Sequence, residues 1–177
     1  LPNRRLFDDF ESRIALAKVF RQYRPRVVLG FGGKTILASP DHYQAMLITD
    51  AAVFYSRLSK WDEYFEGLAP HTITNQLSFP IALHRLDAPD SSGYIVADIS
   101  DTLVRKLDAI RAYETQFPPS KARLFRTVEM MNRYFGLTAG FEAGELFMHY
   151  RSFGVEDLMR WAVPSPVESS ESGSSGS

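Results

Sequence analysis

Apolar and polar positions follow helical spacing in some stretches of the chain and run together in others. Over residues 8–22, with Phe7 just ahead, Phe10, Ile14 and Ala17 recur at helical spacing between charged residues, which predicts an amphipathic helix. After Pro25 the run Val27-Val28-Leu29 is continuously apolar, the pattern of a buried, parallel-type strand. A glycine-rich stretch, Gly30-Phe31-Gly32-Gly33-Lys34-Thr35, follows. Ser39-Pro40-Asp41 then reads as a helix start. Serine can cap, proline suits the first helical position, and an acid complements the helix dipole. Ala45, Ile48, Ala52 and Tyr55 form the predicted apolar face, and the helix is expected to end near Leu58.

Residues 59–75 read as an aromatic-rich loop with Trp61, Tyr64 and Phe65. Strands are expected at 76–84 and 94–99, on either side of the turn-rich segment from Asp87 to Gly93. Ser100 is the expected cap of a third helix with Leu103, Leu107 and Ile110 on its face, broken by Pro118-Pro119. A fourth helix starts near Lys121 and carries Leu124, Val128, Met131 and Phe135 on one side. A short strand at 141–150 and a short helix at 155–161 complete the list of elements. From Pro164 onward the chain is rich in serine and glycine and cannot bury apolar surface, so 164–177 is expected to be a disordered tail behind one domain at 1–163. Helices alternating with strands predict an α/β fold, a Rossmann-like layered sheet with flanking helices. So few strands make a small sheet for that class, and its N-terminal side is expected to be incomplete.

Composition narrows the partners. The 177 residues are 45% hydrophobic and 23% charged, with a formal net charge of −1. No basic excess points to nucleic acid or an anionic membrane surface. The apolar runs fall far short of the about 20 residues that a spanning helix needs, so no membrane partner is expected. There is no cysteine, which removes disulfides, thiolate nucleophiles and cysteine metal sites, and a cytoplasmic location is the expectation. Arg21, Arg24 and Arg26 read as a solvated helix end.

Gly33-Lys34-Thr35 invites a phosphate-loop reading, but that pattern needs a glycine where this chain has Val28. The loop also precedes the helix by several residues, so a nucleotide site is a minor alternative. A loop after a parallel strand does lie on the ligand face of an α/β sheet. His42, in the first turn of the helix behind that loop, is a candidate metal ligand, because a neutral imidazole there can hold zinc. His71, His84 and His149 have no partner at ligand spacing, and neither HExxH nor a G-x-S-x-G elbow occurs. The acidic pairs Asp8/Asp9 and Asp98/Asp101 read as caps and dipole partners.

Four collinear segments carry a family resemblance. Arg24-Pro25-Arg26-Val27-Val28 with Ser39-Pro40-Asp41-His42-Tyr43-Gln44-Ala45 resembles the "RPDVV…HPDH..A" motif of LmbE/PIG-L-like zinc-dependent de-N-acetylases. Val96 to Asp101, followed by Lys106, Ala109-Ile110, Tyr113 and Thr115-Gln116-Phe117, is similar to that family's "VDISD…K..AI..Y.SQF" stretch. Gly140 to Phe147 resembles its "G..YGE.F", and Gly154 to Leu158 fits its tail. The resemblance covers about residues 1–161. It implies an amide hydrolase that removes an acyl group from an N-acetylated amino sugar or glycoside, with zinc polarising the carbonyl and activating water. The family takes two metal ligands and its catalytic base from an "AHPDDE"-type motif that this sequence does not contain. The resemblance therefore gives His42 as the one metal ligand present, and the chain alone is expected to be inactive. The first histidine of "HPDH" is Ser39 here, and Asp41 has lost the histidine it would support. Lys34 and Asp41 are the remaining catalytic candidates, with Gly33 and Ser39 lining the substrate position. A homo-oligomer or a complementing N-terminal segment is the expected partner. The alternative is a non-catalytic binding or assembly module of the same fold that has lost its metal.

Overall fold

The computed structural model describes residues 4–35, 38–81, 93–149, 151–152 and 154–159. The turn expected between Asp87 and Gly93 and the serine-rich tail fall outside them, save Gly93, and the helix expected at 155–161 falls partly outside.

Helix α1 spans Phe10–Tyr23 and starts where the Asp9 carboxylate accepts the Ser12 N–H. That bond, more than any other contact, holds the Asp9 carboxyl below its usual range. Ile14, Ala17 and Phe20 are its buried stripe, whereas Phe7 lies ahead of the helix and is exposed. Strand β1 (Val27–Phe31) follows, then α2 (Asp41–Tyr55), with Ile48 and Ala52 facing the core. The expected loop at 59–75 contains a turn of helix, α3 (Asp62–Phe65), because Phe65 is apolar enough to be driven fully inside. Strands β2 (Asn75–Phe79) and β3 (Tyr94–Asp98) come next. Beyond them lie α4 (Leu103–Arg111), α5 (Ala122–Thr138) and β4 (Gly144–Met148).

The four strands form one mixed sheet in the order β1-β2-β4-β3. β1 pairs parallel with β2, from Val27↔Asn75 to Phe31↔Phe79, and β4 runs antiparallel to both of its neighbours. Val28 packs with Ile14, Ala17, Phe20, Ala52, Phe65 and Ile73 into the main core. Leu103, Leu107 and Ala143 form a second cluster against Ile99, Phe125 and Val128.

Three expectations change. Val27 and Leu29 are 48% and 55% exposed, because alternation turns them to the sheet face opposite the one on which Val28 joins the core. Ser100 caps no helix. It opens a 3-10 turn, and Asp98 accepts both its N–H (2.9 Å) and its hydroxyl (2.6 Å). Arg21 is not solvated but 2% exposed, donating to the carbonyls of Ser56 (3.1 Å), Leu68 (2.8 Å) and Leu58, with its guanidinium 3.4 Å from the Phe65 ring centre. Its planar fork of donors reaches three carbonyls at once, of which that of Ser56 also accepts the His71 N–H at 2.8 Å.

Candidate functional site

The site candidates gather where β1 ends and α2 begins. β1 continues past Phe31 by one further ladder bond, from the Gly32 N–H to the Phe79 carbonyl (2.9 Å). A side chain at Gly32 would overlap Met148, so the strand end is packed against the sheet. Gly33 then turns the chain with φ +89°, a backbone state that glycine adopts without a Cβ clash, and its N–H points to the Met46 sulfur at 3.1 Å. Lys34 is exposed.

Helix α2 begins as the sequence suggested: the Ser39 hydroxyl accepts the Asp41 N–H at 3.3 Å, the bond of a capping serine, and Pro40 behind it already has helical dihedrals (φ −59°, ψ −21°). Asp41, the residue left without its expected histidine, accepts the Arg4 backbone N–H at 2.7 Å. The carboxylate is thereby engaged by the N-terminal arm.

His42 stands apart. Its ring lies on the Phe31 ring, centroids 4.8 Å apart and planes 15° from parallel. Phe31 rests in turn on Phe79 at 5.2 Å. The Nδ1 of His42 is buried and has no hydrogen-bond partner among the described residues. A buried ring nitrogen left unpaired costs stability, and such groups are few in folded proteins. The imidazole thus has the chemistry and the free nitrogen that a metal position requires. It is one ligand where zinc takes three or four from protein. Among the described residues no three His, Cys, Asp or Glu side chains come together to hold a metal. Gly33, Lys34, Ser39 and Asp41 are near His42 in the chain, but none of their side chains completes a coordination set with it.

Sequence reasoning did not single out Phe31 or Phe79. An aromatic at the same register of two paired strands was the available signal. It also left unconnected two motif residues that the structure joins. Lys106 of α4 donates to Glu145 of β4 (2.7 Å) and to Asn132 of α5 (3.0 Å), and Asn132 is buried. This bridge ties the second and third motif segments together. A separate apolar concavity of about 290 Å³ between α1 and α2 is lined by residues such as Leu16, Val19 and Ile48, and no titratable side chain lines it. No described helix is long and apolar enough to cross a membrane.

No protein-family profile matches the chain. It is 31% identical over 120 residues to 1D-myo-inositol 2-acetamido-2-deoxy-alpha-D-glucopyranoside deacetylase 1 of Saccharopolyspora erythraea, over 62% of this chain and 39% of that protein. The chain thus spans about two fifths of that relative's length. Among solved structures it resembles the conserved protein TT1542 of Thermus thermophilus, with a TM-score of 0.70 and 26% identity over 88% of this chain and 65% of that one. The N,N'-diacetylchitobiose deacetylase of Pyrococcus horikoshii shares the fold at a TM-score of 0.69 and 22% identity, over 83% and 54% of the two chains. So does GalB, a 4-carboxy-2-hydroxymuconate hydratase of Pseudomonas putida, at 0.65 and 17%, over 85% and 62%. A deacetylase and a hydratase on one fold mean that the architecture by itself does not choose the reaction. The collinear motifs, the mixed sheet and the match to the Saccharopolyspora deacetylase together make this chain similar, over part of that relative's length, to LmbE/PIG-L-like deacetylases.

Proposed function

We propose that this chain carries the His42-bearing part of an amide-hydrolase site that removes an acyl group from an N-acetylated amino sugar or glycoside. The observation that carries the reading is the buried, unpartnered Nδ1 of His42, in the motif position where the family resemblance puts a metal ligand. Zinc, when bound, supplies carbonyl polarisation and an activated water. His42 offers one imidazole to it. The other ligands and the general base belong to a segment outside this chain, added by a longer protein or by a partner subunit. Gly33 and Ser39 line the substrate position. Exposed Lys34 offers a cation to developing negative charge on the acyl oxygen, the work that a histidine at position 39 would share. Asp41 helps to hold the loop, its carboxylate fixed on the Arg4 N–H.

Acetate release tests the reading. The substrates are N-acetylglucosamine and its inositol glycoside, and the protein is a chimera in which the matched 120 residues of the Saccharopolyspora deacetylase are replaced by this chain's. The chimera is expected to release acetate, the 177-residue chain alone to release none, and His42→Ala to silence the chimera. A folded chimera that keeps its rate after His42→Ala contradicts it.

Ser39 favours a second reading, a binding or assembly module without catalysis. Its hydroxyl is engaged on the Asp41 N–H, and a serine cannot supply the positive charge of an imidazolium. Restoring Ser39→His in the chimera separates the two. A chimera inactive both with serine and with histidine, yet able to bind the amino sugar, supports the module.

A further inference from the structure

We infer that the outward face of α5 is a self-association surface, on which the α5 helix of a second copy of this chain lies antiparallel. The inference stands on α5 and does not draw on the reading of His42.

Phe125 and Val128 of α5 pack on the Leu103, Leu107 and Ala143 cluster, Asn132 is buried, and Gly136 meets the Ala143 backbone. At about 3.6 residues per turn, the line opposite those positions runs through Arg123, Arg126, Met130, Tyr134 and Leu137. On a helix with one buried stripe that line is ordinarily charged or polar. Here Met130, Tyr134 and Leu137 are 69%, 47% and 74% exposed. They follow one another by four and then three positions, the spacing of a seam between two packed helices.

Charge decides the occupant. Arg123 stands in the first turn of α5, where there is no acid and the helix dipole disfavours a cation, and Arg126 follows on the same line. Neither has an ion-pair partner among the described residues, whereas Arg133 beside the stripe is held by Glu129 at 3.0 Å. Past the other end of α5, Glu142 is exposed and has no ion-pair partner among the described residues either. The approach of Ala143 to Gly136 keeps it beside the helix end. One end of the face is therefore basic and the other acidic. A parallel copy sets like charges together, and an antiparallel copy brings the arginines of each toward Glu142 of the other. Arg126 and Glu142 are equally far in sequence from Tyr134, so a twofold axis beside Tyr134 faces them and lays Met130 of one copy by Leu137 of the second. One face of a 17-residue helix, about 25 Å long and about 10 Å wide, is well below the about 800 Å² per partner of a standard interface, so the dimer is reversible.

The 177-residue chain contains no cysteine, so each introduced thiol reports one position. Under mild oxidation Tyr134→Cys is expected to cross-link to itself. Met130→Cys and Leu137→Cys are expected to cross-link to each other when mixed, and Val104→Cys, as exposed as Met130 but on α4, to stay single. In sedimentation equilibrium the unmodified chain is expected to pass from monomer to dimer mass as concentration rises, and Leu137→Glu to remain a monomer. Arg126→Glu raises the dimer dissociation constant at least about five-fold, since the twofold axis counts the change twice, and Glu142→Arg in the same chain restores it. Every substituted side chain is exposed, so the variants keep the fold, followed by circular dichroism. A chain that stays monomeric at every concentration, with Tyr134→Cys no more cross-linked than Val104→Cys, overturns the inference. So does a dimer that survives Leu137→Glu, or one in which Met130→Cys cross-links to itself and not to Leu137→Cys.

Discussion

His42 lies flat against Phe31, the ring centroids 4.8 Å apart, with its Nδ1 buried and unpaired. The stack removes the nitrogen from water without giving it a partner, so the folded chain carries a cost of about 1–3 kcal/mol at this one atom. An apolar side chain of similar size avoids it. His42→Leu is therefore expected to raise the unfolding free energy of the chain by about 1 kcal/mol in urea while abolishing any zinc response. A variant less stable than wild type counts against an orphaned nitrogen.

Arg21 is the opposite case, a buried cation whose donors are used. It serves three carbonyls between Ser56 and Leu68 and covers Phe65. Burial lowers its pKa, yet an arginine remains charged throughout the working range. Hydrogen bonds from a charged donor are worth about 1.5–3 kcal/mol each, and truncation takes this donor from the Leu58 and Leu68 carbonyls while the Ser56 carbonyl keeps the His71 N–H. Arg21→Ala should cost at least about 3 kcal/mol by urea denaturation, and Arg21→Lys should recover only part of it, because an ammonium lacks the planar fork. A loss below about 1 kcal/mol indicates that the 56–68 segment holds itself.

Gly136 lets α5 meet the end of β4. A Cβ there would lie 2.6 Å from backbone atoms of Ala143, which cannot rotate away. Helix propensity alone makes Gly→Ala favourable by about 1 kcal/mol. The contact reverses that sign, so Gly136→Ala is expected to lower stability by about 1–3 kcal/mol, as overpacking does. A stabilised variant, read from the thermal midpoint, contradicts the close approach.

Asp98 gives a pH dependence. The Ser100 hydroxyl and then the Ser100 N–H hold its carboxyl below the usual range. Because the folded pKa lies below the unfolded one, the stabilisation is full above the unfolded value of about 4 and fades as pH falls through the folded value. The stability gap between wild type and Asp98→Ala should thus be largest near neutrality and close as the solution is acidified, followed by urea denaturation across pH. A gap that widens in acid has the wrong sign.

Helical periodicity made α1, α2, α4 and α5 legible but not the single turn α3 inside the expected loop at 59–75, and the four strands lie within or beside their expected ranges. The start of α2 was legible, because a serine acceptor followed by a proline with its preset φ is a local signal that needs no tertiary contact. Arg21 was misread because sequence spacing shows a charge at a helix end but not the carbonyls waiting 35 to 47 positions later. His42 was legible as a candidate from its place at a helix start. The Phe31 stack was not, since it depends on the register of β1 with β2.

Zinc stoichiometry tests the central claim most directly. The chimera that supplies the unmatched parts of the Saccharopolyspora deacetylase around this chain is dialysed against zinc and its metal content measured, with His42→Ala beside it. The account predicts one zinc per chimera, lost in the His42→Ala variant while the fold, followed by circular dichroism, is kept. A folded chimera that holds no zinc, or one whose zinc survives the loss of His42, contradicts it.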